Sequence, residues 1–188
     1  GGIHRFRANV ALNRIREGID GGPATRPTEY LDVLGPNVFA SYGAELGRIV
    51  AVYAEAGWRQ DLDFQFLDRA NSTSVSSTLT LRPTAGIRLD TTVRGDRLDR
   101  PRESDAQAAL IRHWTSWQFT QELGLRSMIE YSAGNERDDR LVTTVLLTWL
   151  ENPGTAVHLG WIERTGLEDQ PKTLDRTVFL KASVLFRP

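Results

Sequence analysis

A histidine and a serine are the first residues whose types could carry chemistry. If 107–119 and 123–132 form a hairpin, His113 lies diagonal to Ser127, within reach for a serine–histidine pair acting on lipid. No third residue is placed to orient the imidazole, as such a catalytic group requires. His113 also shares its predicted face with Trp117, which is typical of a histidine at a membrane interface. We therefore predict no catalytic residue and keep a lipid hydrolase as an alternative.

Carboxylates are the second candidate. Asp90 and Glu130 share a predicted face but lie two strands apart, each near arginines, which favours a charged surface over acid–base machinery. The candidate metal ligands are the loop carboxylates Asp61, Asp63, Asp68, Asp138 and Asp139. Calcium needs about six or more oxygen ligands, and neither group has the spacing of a calcium-binding loop. We predict no metal site.

Other sites are excluded by composition and spacing. The glycine-rich segment 18–22 is not followed by the Lys-Ser/Thr of a phosphate-binding loop, so no nucleotide cofactor is predicted. With no cysteine, disulfides and thiolate metal sites are impossible. The net charge is −1 and the basic residues alternate with acidic ones, which argues against a nucleic-acid partner. We predict no cofactor of any kind.

The elements that must position these residues are β-strands, because apolar and polar residues alternate along most of the chain. Ten strands are predicted, over 4–15, 37–44, 48–58, 73–82, 86–97, 107–119, 123–132, 140–151, 156–163 and 174–187. No run of 18 apolar residues exists, so a transmembrane helix is excluded, but a transmembrane β-barrel is not. About 9–11 residues suffice for a tilted strand to cross a bilayer.

Short and long connections alternate between these strands. Three-residue reversals are predicted at 45–47, 83–85, 120–122 and 152–154, and long connections at 16–36, 59–72, 96–107, 133–140 and 164–175. The predicted opposite pairs are Leu81 with Ile87, Trp117 with Leu125, Trp149 with Val157, Thr78 with Asp90, and Arg112 with Glu130. Tight turns at one rim and long loops at the other are typical of outer-membrane barrels, where the long loops face outward.

The two predicted faces differ in chemistry. In a membrane barrel the polar face lines the lumen, through Arg88, Asp90, Arg94, Arg112, Arg126, Glu130 and Lys181. Aromatics near the strand ends are predicted to form two bands at the lipid interfaces: Trp58, Trp117, Phe119, Tyr131, Trp149, Trp161 and Phe186. A soluble barrel gives the same alternation with its apolar face inside, so a soluble ligand-binding barrel stays open as an alternative.

Four segments carry a resemblance to a known family: 79–84, 117–126, 152–155 and 178–183. They resemble the barrel portion of bacterial envelope proteins that join a domain similar to family 9 carbohydrate-binding modules to a C-terminal outer-membrane barrel. The resemblance implies an outer-membrane barrel, and implies that the N-terminal domain of the parent protein is absent from this chain. It transfers no functional residue. The family's barrels are longer than ten strands, which makes a fragment of a larger barrel an expectation too.

The sequence therefore predicts one all-β domain over 1–188, an antiparallel up-and-down transmembrane barrel of about ten strands. The predicted location is the bacterial outer membrane. The predicted function is non-enzymatic, as a pore, a scaffold, or an anchor for a partner or for the missing N-terminal domain. The predicted partners are outer-membrane lipid and lipopolysaccharide, with another envelope protein or complex as a further partner.

Overall fold

A computed structural model describes residues 2–19, 29–63, 68–101, 104–152, 155–168 and 170–184. They form one antiparallel sheet in which the ten strands follow each other in chain order, so the predicted all-β, up-and-down arrangement is confirmed. Within these ranges no helix is long and apolar enough to cross a membrane.

The strands are 12 to 18 residues long. They are β1 (Ile3–Ile19), β2 (Glu29–Leu46), β3 (Val50–Asp63), β4 (Asp68–Thr84), β5 (Ile87–Asp99), β6 (Ala106–Gln118), β7 (Leu123–Gly134), β8 (Arg137–Asn152), β9 (Thr155–Gly166) and β10 (Lys172–Val184). Because each exceeds the roughly 9–11 residues that span a bilayer, a transmembrane arrangement would leave the strand ends outside it.

The long connections were predicted too long. β1 ends at Ile19 and β2 begins at Glu29, so most of the predicted 16–36 loop belongs to strands. The predicted loop 133–140 is a turn of two residues, Asn135 and Glu136. Strand pairing continues there because the Asn135 side chain bonds β6 main chain, accepting from the Gln107 amide at 2.8 Å. The strands thus run past the apolar segment that marks them in the sequence.

Three predicted pairs are confirmed: Trp117 lies opposite Leu125, Trp149 opposite Val157, and Arg112 opposite Glu130.

Two predicted pairs in the β4–β5 hairpin are wrong. Leu81 lies opposite Leu89 rather than Ile87, and Thr78 lies opposite Thr92 rather than Asp90. The cause is an irregularity between Leu81 and Thr84, next to a two-residue turn where three residues were predicted. Because the shift is two residues, every side chain keeps its predicted face.

The β2–β3 turn is also displaced, from the predicted 45–47 to 47–49. Gly47 starts it with a φ of 68°, a left-handed conformation that glycine adopts without a steric penalty.

As far as the described residues go, the sheet is open and has no second layer. In the described part of the chain β1 pairs only with β2, and β10 only with β9. Ala44 and Ala70 are the two apolar residues that are buried among the described residues. A soluble domain normally buries one face of a sheet against another layer, and no such layer is present within the described ranges.

The buried side chain of Arg100 links three connections between strands, at the end of the sheet opposite the tight turns. Arg100, which follows β5, pairs with Asp63 at the end of β3 and with Glu136 in the β7–β8 turn. The side chains of Arg100 and Asp63 are 7% and 5% exposed. The hydrogen bond to Glu136 raises the pKa of Arg100, so the guanidinium group stays charged. Arg97 adds a contact to Asp105 at 2.7 Å.

Candidate functional site: an apolar belt and a polar face

The sheet separates its side chains by chemistry. Following the pairing from strand to strand, the predicted lumen residues fall on one face: Arg88, Asp90, Arg94, Arg112, Arg126, Glu130 and Lys181. The other face, which we call the apolar belt, carries most of the large aliphatic residues, among them Val75, Ile87, Leu89, Ile111, Leu125, Ile129, Leu147, Leu159 and Leu180. The predicted division between the two faces is thus present in the sheet.

The apolar belt is uncovered. Val75 is 54% exposed, and Ile111 and Ile129 are each 47% exposed. Toward the edges the exposure rises, to 74% for Phe6 and 72% for Leu180. Proteins in water rarely leave a contiguous apolar surface larger than a few hundred Å² exposed, and larger ones mark contact with a membrane or a partner.

The apolar side chains also form continuous rows across the strands. One row runs from Leu180 through Leu159, Leu147 and Leu125 to Trp117, so that it crosses five strands. Residues directly opposite on antiparallel strands have Cβ atoms about 4.5–5.5 Å apart. The row is therefore a continuous hydrophobic surface rather than a set of isolated side chains.

The polar face is the more sheltered of the two. Identical neighbouring residues show this directly, because they point to opposite faces: Ser76 on the polar face is half-buried, whereas Ser77 on the apolar belt is exposed. Ala108 and Ala109 on β6 differ in the same way. This difference is expected if the sheet curves toward its polar face, as the wall of a barrel with a polar interior does.

The predicted interface aromatics are placed at different heights. Trp117, Phe119 and Trp149 lie beside tight turns, and the rings of Trp117 and Phe119 are 4.4 Å apart between centroids. Trp58 and Tyr131 lie toward the opposite end of their strands. Trp161 lies midway along β9 and belongs to neither group. Phe186 lies outside the described residues.

The polar face is largely self-neutralised. Arg112 donates to Glu130 across the β6–β7 pair at 2.5 Å. Thr80 donates to Asp90 at 2.5 Å, and Thr78 and Thr92 are bonded at 2.9 Å. Charged groups and hydroxyls of the polar face thus form hydrogen bonds with each other. An unpaired charge on this less exposed face would be costly.

A short motif produces much of this pairing. Arginine is followed two residues later by an aspartate that forms an ion pair with it, in Arg59–Asp61, Arg88–Asp90 and Arg94–Asp96 on the polar face, and in Arg97–Asp99 on the opposite face near the end of β5. Side chains two residues apart on a strand point to the same face, so each strand supplies its own counter-ion. This Arg-x-Asp motif was visible in the sequence and was not used to predict the pairing.

An aromatic ring on the polar face was missed. Phe179 lies opposite Gly160, and its ring occupies the space where a side chain at position 160 would begin. The ring therefore packs on the bare backbone of β9 and fixes the last hairpin. A glycine opposite an aromatic residue was the signal that could have revealed it.

The candidate serine–histidine pair does not assemble. His113 lies opposite Ile129 as predicted, but its ring nitrogens bond Thr91 Oγ1 at 2.9 Å and Thr115 Oγ1 at 3.1 Å. Ser127 lies opposite Thr115 and makes no hydrogen bond to His113 among the described contacts. Both imidazole nitrogens are thus engaged by threonines, whereas a serine nucleophile is activated by a direct hydrogen bond to the histidine base.

The two candidate carboxylates, Asp90 and Glu130, each bond separate partners. Asp90 accepts from Arg88 and Thr80, whereas Glu130 accepts from Arg112. Within the described part of the chain no group of three histidine or acidic residues is arranged to hold a metal ion.

No protein-family model, curated protein or solved structure matches this chain.

Proposed function

We propose that this sheet is the wall of a transmembrane β-barrel in a bacterial outer membrane and serves as a non-enzymatic scaffold or anchor. The observation that carries the proposal is the uncovered apolar belt, with residues such as Val75 more than half exposed. Lipid is the environment in which such a belt is stable on a β-sheet whose other face is polar. The segments that resemble envelope barrels agree with this function, and the resemblance itself stays a prediction.

The paired polar face favours a scaffold over an open pore. A small barrel has an interior that its side chains largely fill. The ion pairs Arg112–Glu130, Arg88–Asp90 and Arg94–Asp96 would project into that interior. A lumen filled in this way passes little, so we assign the barrel the role of holding a partner or a further domain at the membrane.

The test of the membrane assignment uses two adjacent serines at the middle of β4. The chain has no cysteine, so Ser76→Cys and Ser77→Cys each introduce a single labelling site. With a nitroxide attached and the full chain in phosphatidylcholine vesicles, position 77 should collide with dissolved oxygen and not with a water-soluble nickel chelate. Position 76 should not show this preference for oxygen. Equal access of the chelate to both positions would contradict the membrane assignment.

Closure of the barrel is supported by the stagger of the strands. The row of opposite residues that starts at His4 in β1 reaches β10 at Arg176. It lies one residue from the described end of β1 and eight residues from the described end of β10, so it shifts by seven residues (8 − 1) along the strands. Neighbouring residues of a strand are about 3.3 Å apart and neighbouring strands about 4.8 Å apart. The shift of the row along the strands therefore corresponds to a strand tilt of about 30°. Barrels have tilts of roughly 35–45°, so the sheet is staggered nearly as a barrel wall is.

The two free edges match each other. β1 and β10 run antiparallel, and even-numbered residues form the apolar side of both. An offset of about ten residues around the barrel gives a tilt of about 35°. That offset places Phe6 opposite Val184, Ala8 opposite Ala182 and Val10 opposite Leu180. We therefore propose that β1 pairs with β10 in this register.

Disulfide trapping tests the closing register. Ala8→Cys combined with Ala182→Cys should form a bond within one chain upon mild oxidation in the membrane. Phe6→Cys or Val10→Cys with the same partner should react less, and a stronger reaction there would move the offset by two residues while still supporting closure. Bonds formed only between chains, or none in the three combinations, would contradict closure of this chain on itself.

A further inference from the structure

One pair of arginines departs from the charge pattern of the sheet. Several arginines of the polar face are followed two residues later by their aspartate, as in Arg88–Asp90 and Arg94–Asp96, whereas Arg112 pairs with Glu130 on the neighbouring strand. In β1 the second position is again an arginine, in the sequence Arg5-Phe6-Arg7. The two guanidinium groups share the polar face of one strand, and among the described contacts neither has an acidic partner.

A cavity of about 370 Å³ lies beside these arginines. Its lining includes Arg5 and Arg7 from β1 and, from the neighbouring part of the sheet, Tyr53 and Thr78. The space exists because the residues between them are small: Gly43 lies opposite Arg5, and Ser41 lies opposite Arg7. The two arginines thus border a space that these small residues leave open.

The cavity contains one carboxylate that does not supply the missing counter-charge. Glu45 lines it too, but lies opposite Ile3 and forms no ion pair with either arginine among the described contacts. Two cationic side chains and one acidic side chain leave the cavity with a positive excess. An Arg-x-Asp pair, by contrast, has no excess charge.

We propose that this cavity binds a phosphate group, as the free anion or as a phosphomonoester, whose oxygens take the place of the missing aspartate. Guanidinium groups form paired, charge-assisted hydrogen bonds to phosphate oxygens, and two of them can bind one dianion. The hydroxyls of Tyr53 and Thr78 are already bonded to Glu55 and Thr92, so the proposal rests on the two arginines. The cavity volume exceeds that of phosphate alone, so room remains for the group that carries it.

Titration calorimetry with inorganic phosphate tests the site in the full chain. Arg5→Gln or Arg7→Gln should each weaken binding about tenfold or more, because each removes a charge-assisted hydrogen-bonding group. Arg7→Asp recreates the Arg-x-Asp motif within β1 and should abolish binding while keeping the sheet. Glu45→Gln removes the competing carboxylate and should strengthen binding.

The matched control is Arg94→Gln, which removes an arginine of the same face that is already bound to Asp96. Its phosphate affinity should stay within about twofold of the parent. Vesicles with phosphatidic acid, compared with phosphatidylcholine vesicles, distinguish a lipid-borne phosphate from a free one. Binding in either form that is lost in Arg7→Asp supports the site. No binding in both forms, or equal binding by the parent and Arg7→Asp, would overturn it, without bearing on the membrane assignment.

Discussion

Replacing Val75 with arginine is expected to destabilise the membrane-embedded protein by about 2–4 kcal/mol, the cost of a cationic side chain on the lipid face near the bilayer midplane. Val75 lies near the middle of β4, is 54% exposed, and faces the small residues Ala56 and Gly95 on its neighbours. No acidic side chain lies directly opposite to neutralise an added charge. The measurement is the free energy of unfolding in vesicles, from a reversible denaturant titration.

The adjacent residue supplies the matched control. Ser76 points to the polar face, between Glu55 and Arg94 on the two neighbouring strands. Arginine at position 76 can approach Glu55, so Ser76→Arg should cost far less than Val75→Arg. If the belt faced water instead, Val75→Arg would have little effect, and equal small losses from the two variants would refute the lipid-facing assignment.

A soluble barrel with the belt inside would also be damaged by Val75→Arg, so a truncation is needed to separate the two cases. Leu125→Ala in a soluble core would lose about 2–5 kcal/mol through the cavity that it leaves. On a lipid-facing surface, acyl chains fill the space and the loss should be much smaller.

Gly134→Ala is expected to destabilise the β6–β7 hairpin by about 1–3 kcal/mol, as overpacking does in a tightly packed site. A Cβ at position 134 would lie 2.6 Å from the main-chain oxygen of Gln107. That oxygen cannot move freely, because it accepts a hydrogen bond from the Asn135 amide at 3.2 Å. The backbone of two strands would have to separate, and the Asn135 turn with it.

Gly95→Ala is the control for this substitution. A Cβ at position 95 has no heavy atom within 4 Å, so the added methyl group meets open space. Its unfolding midpoint in urea should equal or exceed that of the parent, since alanine restricts the unfolded chain more than glycine does. Equal losses from Gly134→Ala and Gly95→Ala would show that the close approach to Gln107 is not responsible.

The faces and the number of strands could be predicted because a period of two is a property of the local sequence. Ile111 and Arg112 point in opposite directions in any strand that contains both, whatever its partner. The predicted register of the β4–β5 hairpin was wrong by two residues, yet Leu89 and Asp90 kept their faces, because only odd shifts exchange them.

The rest depended on information that is not local. The strand ends near Arg100 were not predicted, because polar residues continue the strand pairing there and no apolar alternation marks it in the sequence. The burial of Arg100 depends on Asp63 and Glu136, which are 37 and 36 residues away in sequence. An arginine followed by a proline and charged neighbours is typical of an exposed loop, and only the meeting of those distant connections buries it.

The strict succession of neighbours in the sheet bears on how such a chain can change in evolution. Every ladder in the described part of the chain joins consecutive strands, and the Arg-x-Asp pairs neutralise charge within a single strand. A hairpin therefore contacts mainly its neighbours, as a repeat does in a solenoid protein, although the ion pairs of Arg100 reach further. Duplicating or deleting a hairpin changes the sheet by two strands and leaves the order of the other strands unchanged. Relatives that differ in strand number by two would be the expected record of that history.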